Sequence, residues 1–394
     1  MRIVFIDLHC INFLVRPYKQ IKDKSRIATY KHKFILDYAF EHNIEVLDYV
    51  SQSVSSVGGF KGKALRRLLK KKFYKTEAEY VLENSYDQPL SIKVIFDKEE
   101  IRTDDIVVAY LYNPKQLEIL KILNGKKVLM GNHFVAINNP IDLSDYGVKA
   151  FVNEINLEDN EFVNKYIKSD NLKYITAPYI FAERFKNLHK SRKNKAMAIG
   201  TLSNCTGNSG YKLYREFTGT EWIQPLRKMI YDQPDYMPEQ LDSYISYIFE
   251  DKIVINPSDN FVTKLIKKIK NRRIGWTQKN YMSFDMVEKF NEYSMFLCPE
   301  ELIGMPGIGF VEGMACGTAY IGLDTPYYAK LGLVKGKHYI TYNGTMEDLQ
   351  RVIMYYQDNI EELNDIAKNG EEFVREHFNK NAVAKYLFDQ LSEL

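Results

Sequence analysis

The segment from Ser294 to Thr325 constrains the fold more than any other part of the sequence. It begins and ends with short apolar runs, Met295 to Cys298 and Ala319 to Leu323, which are typical of buried strands. Between them lie an acidic, glycine-rich loop and a short helix that carries Glu312 and stops at Gly317. This order predicts a Rossmann-like unit, in which the backbone N–H groups of a glycine-rich loop are presented to a diphosphate.

The same segment closely resembles the nucleotide-sugar signature of GT-B glycosyltransferases, especially the retaining group 1 (family 4) enzymes. In that signature two glutamates and a glycine-rich turn precede a helix end that matches Met314 to Thr318. The resemblance implies that Glu312 binds the ribose of a nucleoside-diphosphate sugar, the donor substrate. It also implies that an earlier glutamate contacts the donor sugar, and that no metal and no cofactor take part. An ordinary βαβ unit without a ligand is the alternative.

The spacing of the two glutamates departs from the signature. In the related enzymes they lie eight positions apart, and the residue eight positions before Glu312 is Gly304. The nearest acidic residues are Glu300 and Glu301, so the loop is longer by about three residues. Glu301 lies closer to the usual register and is the preferred catalytic candidate. Two alternatives stay open: Glu300 contacts the donor sugar instead, or the chain has lost this contact.

The resemblance implies further donor-binding residues in the second half of the chain. The turn that would hold the diphosphate through its backbone is formed by Gly307, Ile308, Gly309 and Phe310. Trp276, at the end of a predicted strand, would stack on the base or fill the core.

Related enzymes also add an Arg and a Lys from an early loop of the second domain. The corresponding loop, Thr201 to Gly210, contains neither, and the nearest cations are Lys212 and Arg215. Lys212 is the candidate phosphate ligand, with a solvated surface position as the alternative.

His133 is the second catalytic candidate. It follows a predicted strand in the first half of the chain, where group 1 proteins often place a histidine that faces the donor sugar. A purely structural role for His133 is the alternative. Asn132 and Asn138 are nearby polar residues that could contact the sugar in its place. Nothing in the sequence identifies a catalytic base.

The alternation of strand-like and helix-like segments predicts an α/β protein with parallel sheets. The resemblance implies the GT-B fold, with two Rossmann-like domains facing a central cleft and a C-terminal helix that crosses back. We expect an acceptor-binding domain over residues 1–188, a donor-binding domain over 189–375 and the returning helix over 376–394. The basic segment 186–195 is the predicted linker.

Composition narrows the class of protein. With 45% hydrophobic and 27% charged residues, the chain is typical of a globular protein that folds in water. The net charge of +3 does not indicate nucleic-acid binding, and four scattered cysteines indicate free thiols. The segment 61–75 contains several leucines surrounded in sequence by lysines and arginines. This pattern is typical of a helix on an anionic bilayer, with an ordinary surface helix as the alternative.

Together these features predict a cytoplasmic, metal-independent hexosyltransferase-like enzyme, peripheral to the inner face of a bacterial membrane. The expected reaction moves a sugar, with retention, onto a surface-glycan acceptor such as a lipopolysaccharide O-antigen or capsule, in polysaccharide biosynthesis. The acceptor would be a glycan or a lipid-linked glycan. A nucleotide-sugar epimerase of the same fold and a non-catalytic GT-B partner subunit are the alternatives.

Overall fold

The computed structural model of the chain describes residues 1–7, 33–50, 77–80, 90–110, 114–131, 139–204, 211–247, 259–277 and 284–394. The chain divides into two compact units. The first comprises Met1–Ala177 together with Lys380–Leu394, and the second comprises Pro178–Asn379. The division precedes the basic segment 186–195, which lies within the second unit. The assignment of acceptor and donor binding to separate domains stays a prediction.

The elements are numbered in chain order. The strands are β1 (Arg2–Asp7), β2 (Glu45–Val50), β3 (Glu77–Tyr80), β4 (Leu90–Ile95), β5 (Ile106–Tyr110), β6 (Lys126–Met130), β7 (Ile141–Asp142), β8 (Val148–Asn153), β9 (Ile167–Lys168), β10 (Lys173–Thr176), β11 (Lys193–Leu202), β12 (Leu241–Tyr247), β13 (Tyr293–Leu297), β14 (Ala319–Leu323) and β15 (Ile340–Tyr342). The helices are α1 (Lys33–Glu41), α2 (Pro114–Leu120), α3 (Glu161–Tyr166), α4 (Lys212–Thr218), α5 (Pro225–Tyr231), α6 (Phe261–Thr277), α7 (Met286–Glu292), α8 (Gly309–Ala315), α9 (Pro326–Lys330), α10 (Met346–Asp358), α11 (Ile360–His377) and α12 (Lys380–Ser392).

The first unit is built on an eight-stranded sheet with the order β10-β8-β6-β5-β1-β2-β4-β3. All neighbours pair in parallel except β3, which pairs with β4 in the antiparallel direction. The consecutive residues from Ile3 to Ile6 are all buried, as expected for a strand covered on both faces. The last helix of the chain returns to this unit, where Phe388 of α12 stacks on Tyr38 of α1 with 4.9 Å between ring centroids.

The second unit is built on five parallel strands in the order β12-β11-β13-β14-β15. Counted from its own first strand, this order is 2-1-3-4-5, a doubly wound arrangement that reverses direction between β11 and β13. Ligands of such sheets bind beyond the carboxyl ends of the strands at the reversal. The topology therefore directs attention to the residues that end β11 and follow β13.

A close helix–strand contact fixes α8 over β13. A β-carbon added at Gly313 would lie 2.3 Å from the ring of Phe296, so only glycine allows this approach. The helix ends before Gly317, whose φ of 68° is the left-handed conformation that glycine adopts without steric cost. The predicted helix around Glu312, with its glycine stop between two buried strands, is confirmed.

The basic segment ahead of β11 is anchored by Arg192. Its guanidinium donates hydrogen bonds to the carbonyls of Phe290, Tyr293 and Cys316 at 2.9, 3.0 and 2.6 Å, and to Thr318 Oγ1 at 2.6 Å. These acceptors end α7, begin β13 and follow α8, so one half-buried cation fixes three elements. Burial lowers the pKa of Arg192, although not enough to deprotonate an arginine.

One predicted strand is wrong. The residues from Arg272 to Trp276, interpreted as a strand, belong to the helix α6. The reason is visible upstream, where Phe261, Leu265 and Ile269 recur every four residues and establish helical periodicity before the mistaken window begins. None of the helices in the described parts of the chain is long and apolar enough to cross a bilayer.

Candidate functional site

The loop between β13 and α8 folds back on itself. The Glu301 N–H donates to Met305 O at 2.9 Å, and the Gly304 N–H donates to Glu301 O at 3.0 Å. The turn closes because Ile303 and Gly304 take left-handed φ angles of 59° and 73°. This closed turn takes up the additional residues of the lengthened loop. It brings Gly307 back beside Glu301, since a β-carbon added there would lie 3.8 Å from Glu301 Oε1.

The two adjacent glutamates point into different surroundings. Glu300 is 1% exposed, and its Oε1 accepts hydrogen bonds from Tyr328 OH at 2.5 Å and from Leu323 N–H at 2.7 Å. Tyr320 OH donates to the same oxygen at 3.3 Å. Burial raises the pKa of Glu300, and these hydrogen bonds partly offset the rise. Glu300 therefore joins β13 to β14 and α9, which leaves Glu301 as the glutamate that faces the glycine-rich loop.

Glu301 is paired with Arg227, a residue of α5 that sequence reasoning missed. Arg227 Nη2 lies 3.0 Å from Glu301 Oε1, and the two side chains are 4% and 9% exposed. The same guanidinium donates to Thr201 O at 2.9 Å and to Pro299 O at 3.1 Å. Thr201 belongs to β11 and Pro299 follows β13, so the cation spans the reversal of the sheet.

A signal for Arg227 exists in the sequence. Arg227 lies three residues before Ile230, and both residues are on the buried face of α5. An arginine in an apolar position of a short helix is rarely buried without a specific partner. Arg227 lies beyond the loop before α4, where the resemblance places the cations of related enzymes, and was therefore not predicted.

Two glycines make room for the guanidinium. A β-carbon added at Gly200 would lie 2.8 Å from Arg227 Nε, and Gly200 has a φ of 141°, which disfavours other residues. A β-carbon at Gly307 would lie 3.2 Å from Arg227 Nη2. The positive charge is therefore separated from the glycine-rich loop by backbone alone.

Two further buried groups adjoin this pair. Cys298 packs beneath the loop, since a β-carbon added at Gly309 would lie 2.9 Å from its sulfur. Burial raises the pKa of the Cys298 thiol to about 11, which keeps it neutral and unsuited to be a nucleophile. Tyr179 is buried, and burial followed by the nearby Glu301 carboxylate raises its pKa well above 10, so its hydroxyl stays protonated.

Glu312 lies in the first turn of α8 and is half-buried. Burial raises the pKa of Glu312 to about 7, and the positive charge of Arg184 partly offsets this rise. Among the residues that the structure describes, none donates a hydrogen bond to its carboxylate. A carboxylate in this position is suited to accept hydrogen bonds from the hydroxyls of a ligand.

The predicted diphosphate-binding turn divides into two parts. The Phe310 N–H already donates to Gly307 O at 3.2 Å, and its ring is fully buried against Tyr320 and Tyr328. This geometry assigns Phe310 to the core rather than to a ligand. In contrast, Ile308 has an exposed side chain at the start of the helix, between the buried Gly307 and Gly309.

The three remaining predicted site residues are Lys212, Trp276 and His133. Lys212 is exposed at the start of α4 and lies 3.6 Å from Glu216 Oε1, a surface ion pair on its own helix. Trp276 is part of α6, and its side chain lies outside the described residues, as does the whole of His133. Within the described ranges, no group of three or more His, Cys, Asp or Glu residues is arranged to hold a metal ion.

Comparison with known proteins gives one family match. Residues 313–394 match the model of glycosyl transferase family 90, which covers less than half of the chain. No curated protein matches the sequence.

Solved structures resemble the whole chain. HepE of Anabaena, crystallised with UDP, has a TM-score of 0.55 at 14% identity over 100% of both chains. Sucrose-phosphate synthase of Thermosynechococcus elongatus has a TM-score of 0.52 at 9% identity over 99% of both. A glycosyltransferase from Rickettsia africae has a TM-score of 0.51 at 13% identity, over 100% of this chain and 98% of the other.

The chain has the GT-B fold. At these identities the likeness to solved structures establishes the fold, and the family match adds the enzyme class. The protein is therefore a glycosyltransferase, as the sequence predicts. The finer assignment to the retaining group 1 enzymes stays a prediction.

Proposed function

We propose that this glycosyltransferase binds a nucleoside-diphosphate sugar in its second unit, beyond the carboxyl ends of β11 and β13. The observation that carries the proposal is Arg227, a buried cation bonded to Thr201 O, Pro299 O and Glu301 at the reversal of the sheet. A fixed positive charge behind a glycine-rich loop is suited to stabilise the negative charge that develops on a departing diphosphate.

Each side chain of the cluster has a separate task in this proposal. Glu312 accepts hydrogen bonds from the ribose hydroxyls, and the loop from Gly307 to Gly309 lies against the diphosphate. Glu301 accepts a hydrogen bond from a hydroxyl of the donor sugar, and Arg227 holds the Glu301 carboxylate in place for this contact. Because Arg227 is itself buried, it acts on the sugar through Glu301 and on the diphosphate through its charge.

The reaction breaks the bond between the anomeric carbon and the diphosphate oxygen. A hydroxyl of the acceptor forms the new glycosidic bond and loses its proton, and the nucleoside diphosphate leaves. We infer retention at the anomeric carbon, with the proton passing to an oxygen of the leaving group, from the resemblance to group 1 enzymes alone. A surface glycan or lipid-linked glycan as acceptor, at the cytoplasmic face of a bacterial membrane, is inferred on the same ground.

UDP is the first nucleotide to test, because HepE, which shares the fold, has been crystallised with UDP and with UDP-glucose. Titration calorimetry with UDP, GDP, ADP and CMP identifies the base. Hydrolysis of the matching donor sugar then reports the first half of the reaction, and NMR of the released product reports the anomeric configuration.

The outcomes separate the alternatives. Binding together with donor hydrolysis supports a transferase, and inversion in place of retention would overturn the stereochemical inference. Interconversion of two donor sugars without transfer would favour the epimerase. Binding of no nucleotide by a folded protein would favour the non-catalytic partner subunit.

A further inference from the structure

The helix α6 has an inverted distribution of polar and apolar residues. Phe261 and Val262 are 80% and 62% exposed, and Leu265, Ile266 and Ile269 are each close to half exposed. On an α-helix these five positions lie within an arc of about 140° and form one continuous face.

The opposite side of the same helix is polar. Thr263, Lys264 and Lys267 are half-buried, and Lys267 Nζ lies 2.8 Å from the carboxylate of Asp259. A surface helix normally turns its apolar face inward and its charges outward. In α6 the protein instead covers the polar side and leaves the apolar side to the surroundings, which indicates that something else covers that face.

The charge of α6 identifies the chemistry of what covers it. The helix contains six cations, Lys264, Lys267, Lys268, Lys270, Arg272 and Arg273, and no acidic residue. The whole chain has a net charge of only +3, so this one helix carries more than the entire net positive charge of the protein. Lys268 and Lys270, which flank the apolar face, are both exposed.

An apolar face bordered by cations is complementary to an anionic lipid surface, where apolar side chains enter the headgroup region and lysines contact the phosphates. A second copy of the chain is a poorer fit, because two such helices would bring like charges together. We propose that α6 is a membrane-binding helix that lies on an anionic bilayer. This inference rests on a different segment of the chain from residues 61–75, which lie outside the described residues, and does not depend on the proposed donor site.

Co-sedimentation with vesicles tests the proposal. Wild-type protein is mixed with vesicles of phosphatidylcholine alone, or with about 30% phosphatidylglycerol added to supply anionic charge. We expect binding to the anionic vesicles, weakening as salt screens the charges. Changing Phe261→Ser and Ile266→Ser together should reduce the partition coefficient at least about tenfold, because apolar insertion is lost. Changing Lys268→Glu and Lys270→Glu together should abolish the preference for anionic vesicles.

Matched controls come from other exposed positions of the second unit. Met354 and Val334 are 47% and 51% exposed, and changing both to serine should leave vesicle binding intact. Changing Lys337→Glu and Lys368→Glu should likewise have little effect, since both are exposed lysines outside α6. Thermal melting and nucleotide titration of every variant confirm that the fold and the donor site are unaffected.

Three results would overturn the proposal. Wild-type protein that ignores anionic vesicles would show that α6 does not bind lipid. Normal binding by the α6 variants, with loss on changing Arg66, Lys70 and Lys71 to glutamate, would assign the membrane contact to the segment 61–75. A change of oligomeric state in the serine variants with unaltered vesicle binding would assign the apolar face to a protein interface.

Discussion

Arg227 and Glu301 form a buried ion pair, with 3.0 Å between Nη2 and Oε1, at the point where the sheet of the second unit reverses direction. The pair connects the end of β11, the segment that follows β13 and the glycine-rich loop. Since the fold binds ligands at this reversal, the pair is the natural centre of the proposed donor site.

Removing one member of the pair should be costly for stability. Arg227→Met leaves the Glu301 carboxylate buried without its cation, and we expect a loss of about 3–5 kcal/mol in the free energy of unfolding. Adding Glu301→Gln to this variant removes the uncompensated charge and should recover part of the loss. Urea denaturation of the single and double variants measures both effects. A double variant no more stable than Arg227→Met would contradict the pairing.

Glu301 and Glu300 should have separable roles. Glu301→Gln keeps the size of the side chain but removes the charge that faces the sugar. We expect kcat for donor turnover to fall about 10–100-fold, with nucleotide affinity little changed. Steady-state kinetics with a soluble acceptor measures this. If only Glu300→Gln lowers kcat, the assignment of the two glutamates is reversed.

Glu300→Gln should instead alter how stability depends on pH. Because burial raises the pKa of Glu300, the folded protein holds a proton that the unfolded chain releases once the pH exceeds about 4.5. Because Glu300 ionises first in the unfolded chain, the free energy of unfolding of the wild type falls as the pH rises above that value. In Glu300→Gln the stability should therefore fall less steeply with pH than in the wild type. Thermal melting of both proteins across the pH range measures this difference.

Glu312 should make donor binding depend on pH near neutrality. Its pKa of about 7 means that the carboxylate is partly protonated in the free protein, whereas ribose hydroxyls are best accepted by the ionised form. Affinity for a UDP-sugar should therefore rise from about pH 6 to about pH 8, approaching tenfold per unit below the pKa. The diphosphate diester stays ionised throughout this range and adds no titration of its own.

The control for this dependence is Glu312→Gln, which should bind more weakly at high pH and lose the pH dependence. Glu312→Ala should weaken binding about 10–100-fold at about pH 8, as expected for the loss of a hydrogen bond to a charged group. A pH profile that is the same in Glu312→Gln and wild type would exclude Glu312 as the source.

Much of this fold was predictable because most of its strands are short and apolar and alternate with helices. The segment from Met295 to Leu323 is the clearest example, since Gly313 and Gly317 have a steric reason for their positions. The start of α10 also follows a local rule: Thr345 Oγ1 accepts a hydrogen bond from the Asp348 N–H at 3.2 Å, the N-cap contact that threonine commonly makes.

The candidate site was less predictable, because it depends on contacts between distant segments. Arg227 lies 74 positions from Glu301, and nothing in the local pattern of either residue identifies the other. The turn that brings Gly307 back beside Glu301 was equally hard to predict, because it needs a β-branched residue, Ile303, to adopt a positive φ. The last residues of α6 resemble a strand by themselves, and only the apolar repeat that precedes them indicates a helix.

The most direct test of the account compares the affinities of UDP and uridine, or of the equivalent pair for another base, in wild type and in the Arg227→Met, Glu301→Gln double variant. The difference between the two ligands isolates the contribution of the diphosphate, and the double variant avoids an uncompensated buried charge. We predict that the preference for the diphosphate falls at least about tenfold while uridine affinity is unchanged. An undiminished preference in a folded double variant would contradict a diphosphate site at Arg227.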